Sequence, residues 1–134
     1  MQEMSAGNGT KPRILVVDDE PRILRFVRLS LHALGFEVLM ASGGEEALKL
    51  AEAENPDVMI LDVFMPGMDG FEVLQRRRAF EDLKACPRMP VIIFSARSSI
   101  ADQAFKLGAN DFISKPFLPE ELAEKIRSVA VGGK

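Results

Sequence analysis

Three aspartates, a serine and a lysine occupy equivalent places in this sequence, at or just beyond the end of a short apolar run. Asp18 and Asp19 follow ILVV, Asp62 follows VMIL, Ser95 follows VIIF, and Lys115 comes directly after DFIS. Carboxylates brought within a few ångströms in a partly desolvated cleft repel one another, so they must take up protons or share a cation. An all-oxygen set suits Mg2+, which prefers octahedral oxygen ligands, keeps several waters and commonly bridges to phosphate. A lysine ammonium and a serine hydroxyl on the far side complete a clamp for phosphoryl oxygens. One carboxylate between metal and lysine can then attack an incoming phosphorus atom while the charge is neutralised from both sides. Asp62 is the candidate nucleophile, because its strand falls in the middle of the expected sheet order.

Five candidate strands must carry these groups: residues 13–18, 36–41, 57–62, 90–95 and 111–114. Near-continuous Val, Ile and Leu marks strands buried on both faces. Five amphipathic stretches alternate with them. The first runs from about Pro21 with Ile23, Leu24, Val27, Leu31 and Leu34 inward, and Gly35 stands where a C-terminal cap is needed. A second opens at Ser42, with Glu45 completing a capping box. The third follows Gly70 and carries Phe71, Val73 and Leu74; the fourth spans about Ser99 to Leu107; the fifth starts at Pro119 with Leu122, Ile126 and Val129 inward. Strands and helices in alternation predict an α/β fold, a doubly wound five-stranded parallel sheet with helices on both faces. In the common order 2-1-3-4-5, ligands bind beyond the carboxyl ends of strands one and three. The strand before Asp62 then serves as a rigid mount, and the Pro66, Gly67, Gly70 loop turns the backbone toward the metal.

Composition limits the function classes. A chain of 134 residues fits one domain, and a net charge of -3 lacks the basic excess of a nucleic-acid binder. The single cysteine, Cys86, reads as a free thiol, and no apolar run approaches the roughly 20 residues of a membrane span, so the cytoplasm is the expected compartment. Residues 1–11 read as a flexible tail without signal-peptide character, 12–131 as the domain, and 132–134 as a second short tail. Arg76, Arg77 and Arg78 read as a solvated helix face. Arg77 nonetheless interrupts the apolar stripe of the third helix, which predicts either an early helix end or a guanidinium snorkelling outward. His32, the only histidine, falls on the first helix as a surface or half-buried side chain with no catalytic company.

VVDDE at 16–20, LDVFMPGMDG at 61–70, FSA at 94–96 and KPF at 115–117 together make the sequence resemble the receiver domains of two-component response regulators, over about residues 12–131. That resemblance implies phosphorylation of Asp62 by a phosphohistidine on a sensor histidine kinase or a histidine phosphotransfer protein. It implies Mg2+ as cofactor, with Asp19 a direct ligand, Asp18 acting mainly through metal-bound water, Asp62 itself a ligand, and the Phe64 carbonyl another. Ser95 and Lys115 correspond to the groups that hold the phosphoryl oxygens, and Ser95 with Phe112 to the switch pair. Where tyrosine is frequent, Phe112 leaves a switch that works through packing alone. The resemblance also implies a cis peptide between Lys115 and Pro116. It implies pairing through the fourth and fifth helices, where Asp111, Glu121 and Lys125 resemble charged interface positions. Between Ser95 and Gly108 the chain is about two residues shorter than the family pattern. Phe64 and Arg97 fall at positions the family varies and are expected at the mouth of the site, tuning how long a phosphoryl group survives.

Two readings of other classes stand beside this one. A small-molecule phosphohydrolase with an aspartyl-phosphate intermediate would want a second acid two residues after Asp62, where Phe64 stands, and a cap over the site. A pseudo-receiver that binds a partner without phosphorylation would not need the acids, hydroxyl and lysine that are all present. The domain itself is expected to be a signalling receiver that catalyses only its own phosphorylation and dephosphorylation, to bind no nucleic acid directly, and to stand alone or belong to a longer regulator.

Overall fold

The computed structural model describes residues 11–132. Its strands are β1 (Arg13–Val17), β2 (Glu37–Ala41), β3 (Val58–Asp62), β4 (Val91–Ser95) and β5 (Asp111–Ser114). They alternate with α1 (Pro21–Ala33), α2 (Gly44–Glu54), α3 (Gly70–Lys84), α4 (Ala101–Lys106) and α5 (Pro119–Gly132). All pairings are parallel and the order is β2-β1-β3-β4-β5, as the alternation predicts. The expected tails lie outside the described residues apart from Lys11 and Gly132, and Gly132 closes α5.

Two-residue periodicity divides the core. Ile14, Val16, Val58, Ile60, Ile92, Phe94 and Ile113 face one side and pack against Leu24, Val27 and Leu31 of α1 and Leu122, Ile126 and Val129 of α5. Their neighbours Leu15, Val17, Met59, Leu61, Val91 and Ile93 face the other side, against Ala47 and Ala51 of α2, Val73 and Leu74 of α3 and Ala104 of α4. Small residues on α2 let it sit close to the sheet. Each fully buried aliphatic side chain contributes roughly 1.5–3 kcal/mol, so this double layer outweighs any local preference.

Local expectations fail in three instructive places. Helix α2 begins at Gly44, and the acid that reaches back to Ser42 is Glu46, taking the Ser42 N–H at 2.9 Å and its hydroxyl at 3.2 Å, in place of Glu45. A short 3-10 turn, Ser98–Ile100, occupies the expected start of α4 and leaves only six residues of α-helix. The third failure is the arginine run. Arg76 is on the solvated face, paired with Glu72, but Arg77 and Arg78 are buried. Helix α3 does not stop at Arg77, and that guanidinium does not snorkel outward: it bonds Glu81 at 2.9 Å and lies 4.9 Å from the Phe80 ring centroid.

Glu81 explains the burial. Its carboxylate is wholly shielded and accepts from Arg77, Arg78, Arg88 and the Met89 N–H. Arg78 spends its remaining donors on the carbonyls of Met89 and Gly108 and on Asn110 Oδ1, which also takes the Val91 N–H. The network thus ties α3 to the start of β4 and to the turn before β5. Gly108, at φ +106°, leaves room for Arg78, whose Nε would lie 3.1 Å from a Cβ there. Burial alone would raise the Glu81 carboxyl, but the Met89 N–H and the Arg78 charge, with Arg77 and Arg88, outweigh it and hold the group below its ordinary 4.5.

Removing Glu81 strands two buried guanidinium groups, so Glu81→Ala should cost about 3–5 kcal/mol in urea unfolding. Its folded pKa lies below the unfolded one. The stabilisation is therefore complete above the unfolded value and fades as pH falls through the folded one. The gap between wild type and Glu81→Gln should narrow over that acid window. A loss in Glu81→Ala no larger than that of an exposed surface pair would show that the network is not what holds α3.

Candidate functional site

Strand order decides what meets at the carboxyl edge. The chain winds from β1 outward to β2, then returns past β1 to β3, so the loops after β1 and β3 diverge and leave a cleft. Asp18 lies in it, fully buried, its N–H donated to the Ala41 carbonyl at 3.2 Å. Its Oδ1 accepts the Glu20 N–H at 2.9 Å and its Oδ2 the Lys115 ammonium at 3.0 Å. Asp62, the last residue of β3, is 4% exposed and accepts from the same ammonium at 3.3 Å. Asp19 is exposed beside them. One oxygen from each of Asp18, Asp19 and Asp62 lies within 4.8 Å of the other two. Lys115 reaches the cleft from β5, with its Nζ also 4.6 Å from the Phe94 ring centroid, and the Lys115–Pro116 bond is cis.

The loop after Asp62 is fixed by a glycine. Gly70 donates its N–H to the Val63 carbonyl at 2.8 Å, and a Cβ on it would overlap the Asp62 carbonyl oxygen and approach Val63 Cα to 2.8 Å. Only a residue without a side chain lets α3 start against the end of β3. Asp69 then caps that helix through the Glu72 N–H at 2.9 Å. Neither Asp18 nor Asp19 caps α1, which starts behind Glu20 with no side-chain capping bond.

Burial pushes the Asp62 carboxyl above its ordinary 3.8, and the charge of Asp18 pushes it further. Lys115 opposes the rise by charge and hydrogen bond, while Asp19 adds slightly to it. Among the described residues, three carboxylates against one ammonium leave two negative charges without a partner. An oxygen-only pocket with that excess fits a hard dication such as Mg2+.

The remaining predicted residues flank this centre. Ser95 is buried at the end of β4, and its hydroxyl accepts the Arg97 N–H at 3.1 Å. Phe64 is 49% exposed, and the Arg97 guanidinium lies 4.9 Å from its ring centroid, so the two side chains sit together on the loops beyond Asp62 and Ser95. Phe112 is not at the acids. It is half-buried on the α4 side of the sheet, packed with the cluster that holds Ile100, Ala104 and Leu107. His32 is exposed on α1.

Sequence reading missed an apolar cleft of about 360 Å³ beside the site, lined by Ile23 and Phe26 of α1 and by Ala96, Lys115, Pro116 and Phe117. Its signal was available. Phe26 falls off the buried stripe of α1 and is 48% exposed.

Fold and site together define a doubly wound α/β domain with an acid and lysine cleft at the point where its strand order reverses. Residues 14–127 match the profile of the response regulator receiver domain, and the chain belongs to that family, the phosphoacceptor domains of two-component signalling. It is 43% identical over 122 residues to the probable transcriptional regulator ycf27 of Guillardia theta, covering 90% of this chain and 46% of that protein. It is 38% identical over 119 residues to the alkaline phosphatase synthesis transcriptional regulatory protein PhoP of Bacillus subtilis, covering 87% and 48%. The chain therefore spans about half the length of these curated relatives. Among solved structures, the chemotaxis protein CheY4 of Vibrio cholerae superposes with a TM-score of 0.81 at 32% identity, over 90% of this chain and 99% of that one. The response regulator TrrA of Thermotoga maritima, solved in complex with Mg2+ and BeF, gives 0.77 at 36% identity, over 88% and 98%. No helix among the described residues is long and apolar enough to cross a membrane.

A raised carboxyl pKa destabilises the folded state above the window between its unfolded and folded values, because there the native state must give up a proton it holds more tightly. In EDTA, Asp62→Asn should therefore melt above wild type at neutral pH, and the difference should shrink as pH falls through that window. Equal melting temperatures across the range would show that Lys115 fully offsets the repulsion.

Proposed function

We propose that Asp62 accepts a phosphoryl group from a phosphohistidine donor, with Mg2+ held by the Asp18, Asp19 and Asp62 carboxylates and the Phe64 carbonyl. The observation that carries this reading is the single ammonium of Lys115 bridging Asp18 and Asp62 beside a third carboxylate. Such a group can move from carboxylates to phosphoryl oxygens without leaving the cleft. Asp62 supplies the attacking oxygen. Its O–P bond forms as the phosphohistidine N–P bond breaks, and the imidazole leaves with the electron pair and takes up a proton. Mg2+, when bound, neutralises charge on the phosphoryl oxygens. Lys115 then pairs with one of these oxygens, and the Ser95 hydroxyl turns from the Arg97 N–H to donate to another. Ser95 ends β4 and Arg97 lies two residues on in the loop after it, so this turn changes the backbone just ahead of α4. Phe112 lies beneath α4 and responds through packing, which makes the pair the switch. The domain's catalysis is limited to gaining and losing its own phosphoryl group.

Donor chemistry fits the surface beside the site. Ile23, Phe26, Pro116 and Phe117 offer an apolar cleft next to Lys115, suited to the apolar face of a helix from a sensor histidine kinase or histidine phosphotransfer protein that presents its phosphohistidine to Asp62. The reading places the protein in the cytoplasm with such donors and gives the domain no direct nucleic-acid role. It holds for a receiver that stands alone or is part of a longer regulator. Pairing of two copies through α4 and α5 belongs to the same proposal. Lys125 lies 3.4 Å from Asp111 of its own chain, so a dimer must exchange or share that contact. Size-exclusion chromatography with and without beryllofluoride tests it, and a monomer under both conditions would remove it.

Incubation with acetyl phosphate or a phosphohistidine donor should label the wild type only when Mg2+ is present and leave Asp62→Asn unlabelled but folded. Labelling retained in that variant would sink the Asp62 assignment. Rapid turnover of a small phosphoester without stable label would favour a phosphohydrolase, and no label under any condition a pseudo-receiver.

The stacked Phe64 and Arg97 cover the approach a hydrolytic water needs, and such a pair is worth about 0.5–1 kcal/mol at an exposed site. Replacing them, in Phe64→Asn combined with Arg97→Glu, should speed phosphate loss by about 2–5-fold at fixed Mg2+. Equal or slower loss would reject the shielding role and leave Asp62 untouched.

A further inference from the structure

We infer that a cavity of about 500 Å³ at the end of the sheet opposite Asp62 binds a small, singly charged organic carboxylate on the free edge of the Arg77 guanidinium. The inference is independent of the phosphoacceptor reading, because the cavity lies at the amino ends of β3 and β4, a full strand length from the acids. Its wall includes Pro56, Arg77, Phe80, Cys86, Arg88 and Met89.

Arg77 is the unusual member. Its side chain is 5% exposed, and among the described residues it makes one hydrogen bond, from Nε to Glu81 at 2.9 Å. Nη1 and Nη2 have no protein acceptor there. A planar guanidinium held by Nε on one side and by the Phe80 ring on its face keeps its outer edge fixed, which is the geometry a carboxylate meets with two parallel bonds. Within the ion-pair cluster, Arg77, Arg78 and Arg88 share Glu81, and Arg88 also takes the exposed Asp82, so three cations face two anions there. Arg78 has acceptors for its whole fork, whereas Arg77 does not.

The rim narrows the ligand class. Glu52 and Asp57 also line the cavity and are exposed, and their repulsion grows with ligand charge, so it disfavours inorganic phosphate more than a singly charged carboxylate. Asp57 is partly engaged, accepting the Arg13 N–H at 2.8 Å. Pro56, Phe80 and Met89 supply apolar surface for the body of the ligand, and the volume is that of a small-molecule site. One carboxylate on a compact apolar or aromatic body satisfies all three constraints.

Benzoate is a suitable probe, with benzyl alcohol as the uncharged analogue and inorganic phosphate as the polyanion. Benzoate should shift the Arg77 Nε–Hε, Phe80 and Cys86 NMR signals of the full chain to saturation and raise the melting temperature with concentration. Benzyl alcohol and phosphate should bind about tenfold more weakly or worse, as should benzoate to Arg77→Lys, which keeps the charge but loses the planar edge. Cys86 is the chain's single cysteine, so N-ethylmaleimide places a bulky group in the cavity while leaving Arg77 unchanged, and this adduct should lose benzoate binding. Shifts that do not saturate, an equal response to phosphate, or undiminished binding in the adduct would each overturn the site.

Discussion

Two buried carboxylates that share one lysine ammonium are the constraint on which this end of the molecule depends. Asp18 and Asp62 come from strands that neighbour each other in the sheet, and nothing in their own chemistry favours proximity. The hydrophobic layers on both sheet faces force them together, and Lys115 offsets only part of the repulsion. A site of this kind is held in an electrostatically unsatisfied condition by packing elsewhere. The unsatisfied charge is also what gives it affinity for a dication and for a phosphoryl group.

The opposite end of the sheet solves its electrostatic problem differently. Glu81 is as deeply buried as Asp18, yet it is surrounded by guanidinium groups and a backbone N–H, and its carboxyl is held below the ordinary range while that of Asp62 is held above it. The Glu81 carboxylate is saturated with donors; the acid pair at the other end is not. The contrast follows from the number of fixed donors around each acid. It also explains why α3, which begins against the Asp62 loop through Gly70, is anchored at its far end by Arg78 and Glu81. Position of the loop at one end and position of the β5 turn at the other are linked through a single 15-residue helix.

Helix α4 stands apart from this rigidity. It has six helical residues behind a 3-10 turn and one fully buried side chain, Ala104. Its start adjoins Ser95 and Arg97, and its end adjoins Gly108, which Arg78 holds. A short element with few buried contacts between a ligand-facing loop and a fixed anchor is the part of the fold most easily displaced.

Strand positions, their parallel order, the inward faces of α1 and α5, and the acids, serine and lysine at the strand ends were legible in the sequence. The reason is physical: strands buried on both faces must be continuously apolar, so a charge that ends such a run is conspicuous. Tertiary structure alone decided the rest. Arg77 and Arg78 read as solvated because a helical pattern records hydrophobicity, and it cannot show that Glu81, the Met89 N–H and the Gly108 carbonyl converge on that face. Ser42 found Glu46 in place of Glu45 because α2 starts where Gly44 fits close to Val73 and Met68 of a distant segment. The stacking of Arg97 on Phe64 and the apolar cleft beside Lys115 likewise join residues far apart in sequence. Periodicity reports which side of an element is buried; only the assembled fold reports what it is buried against.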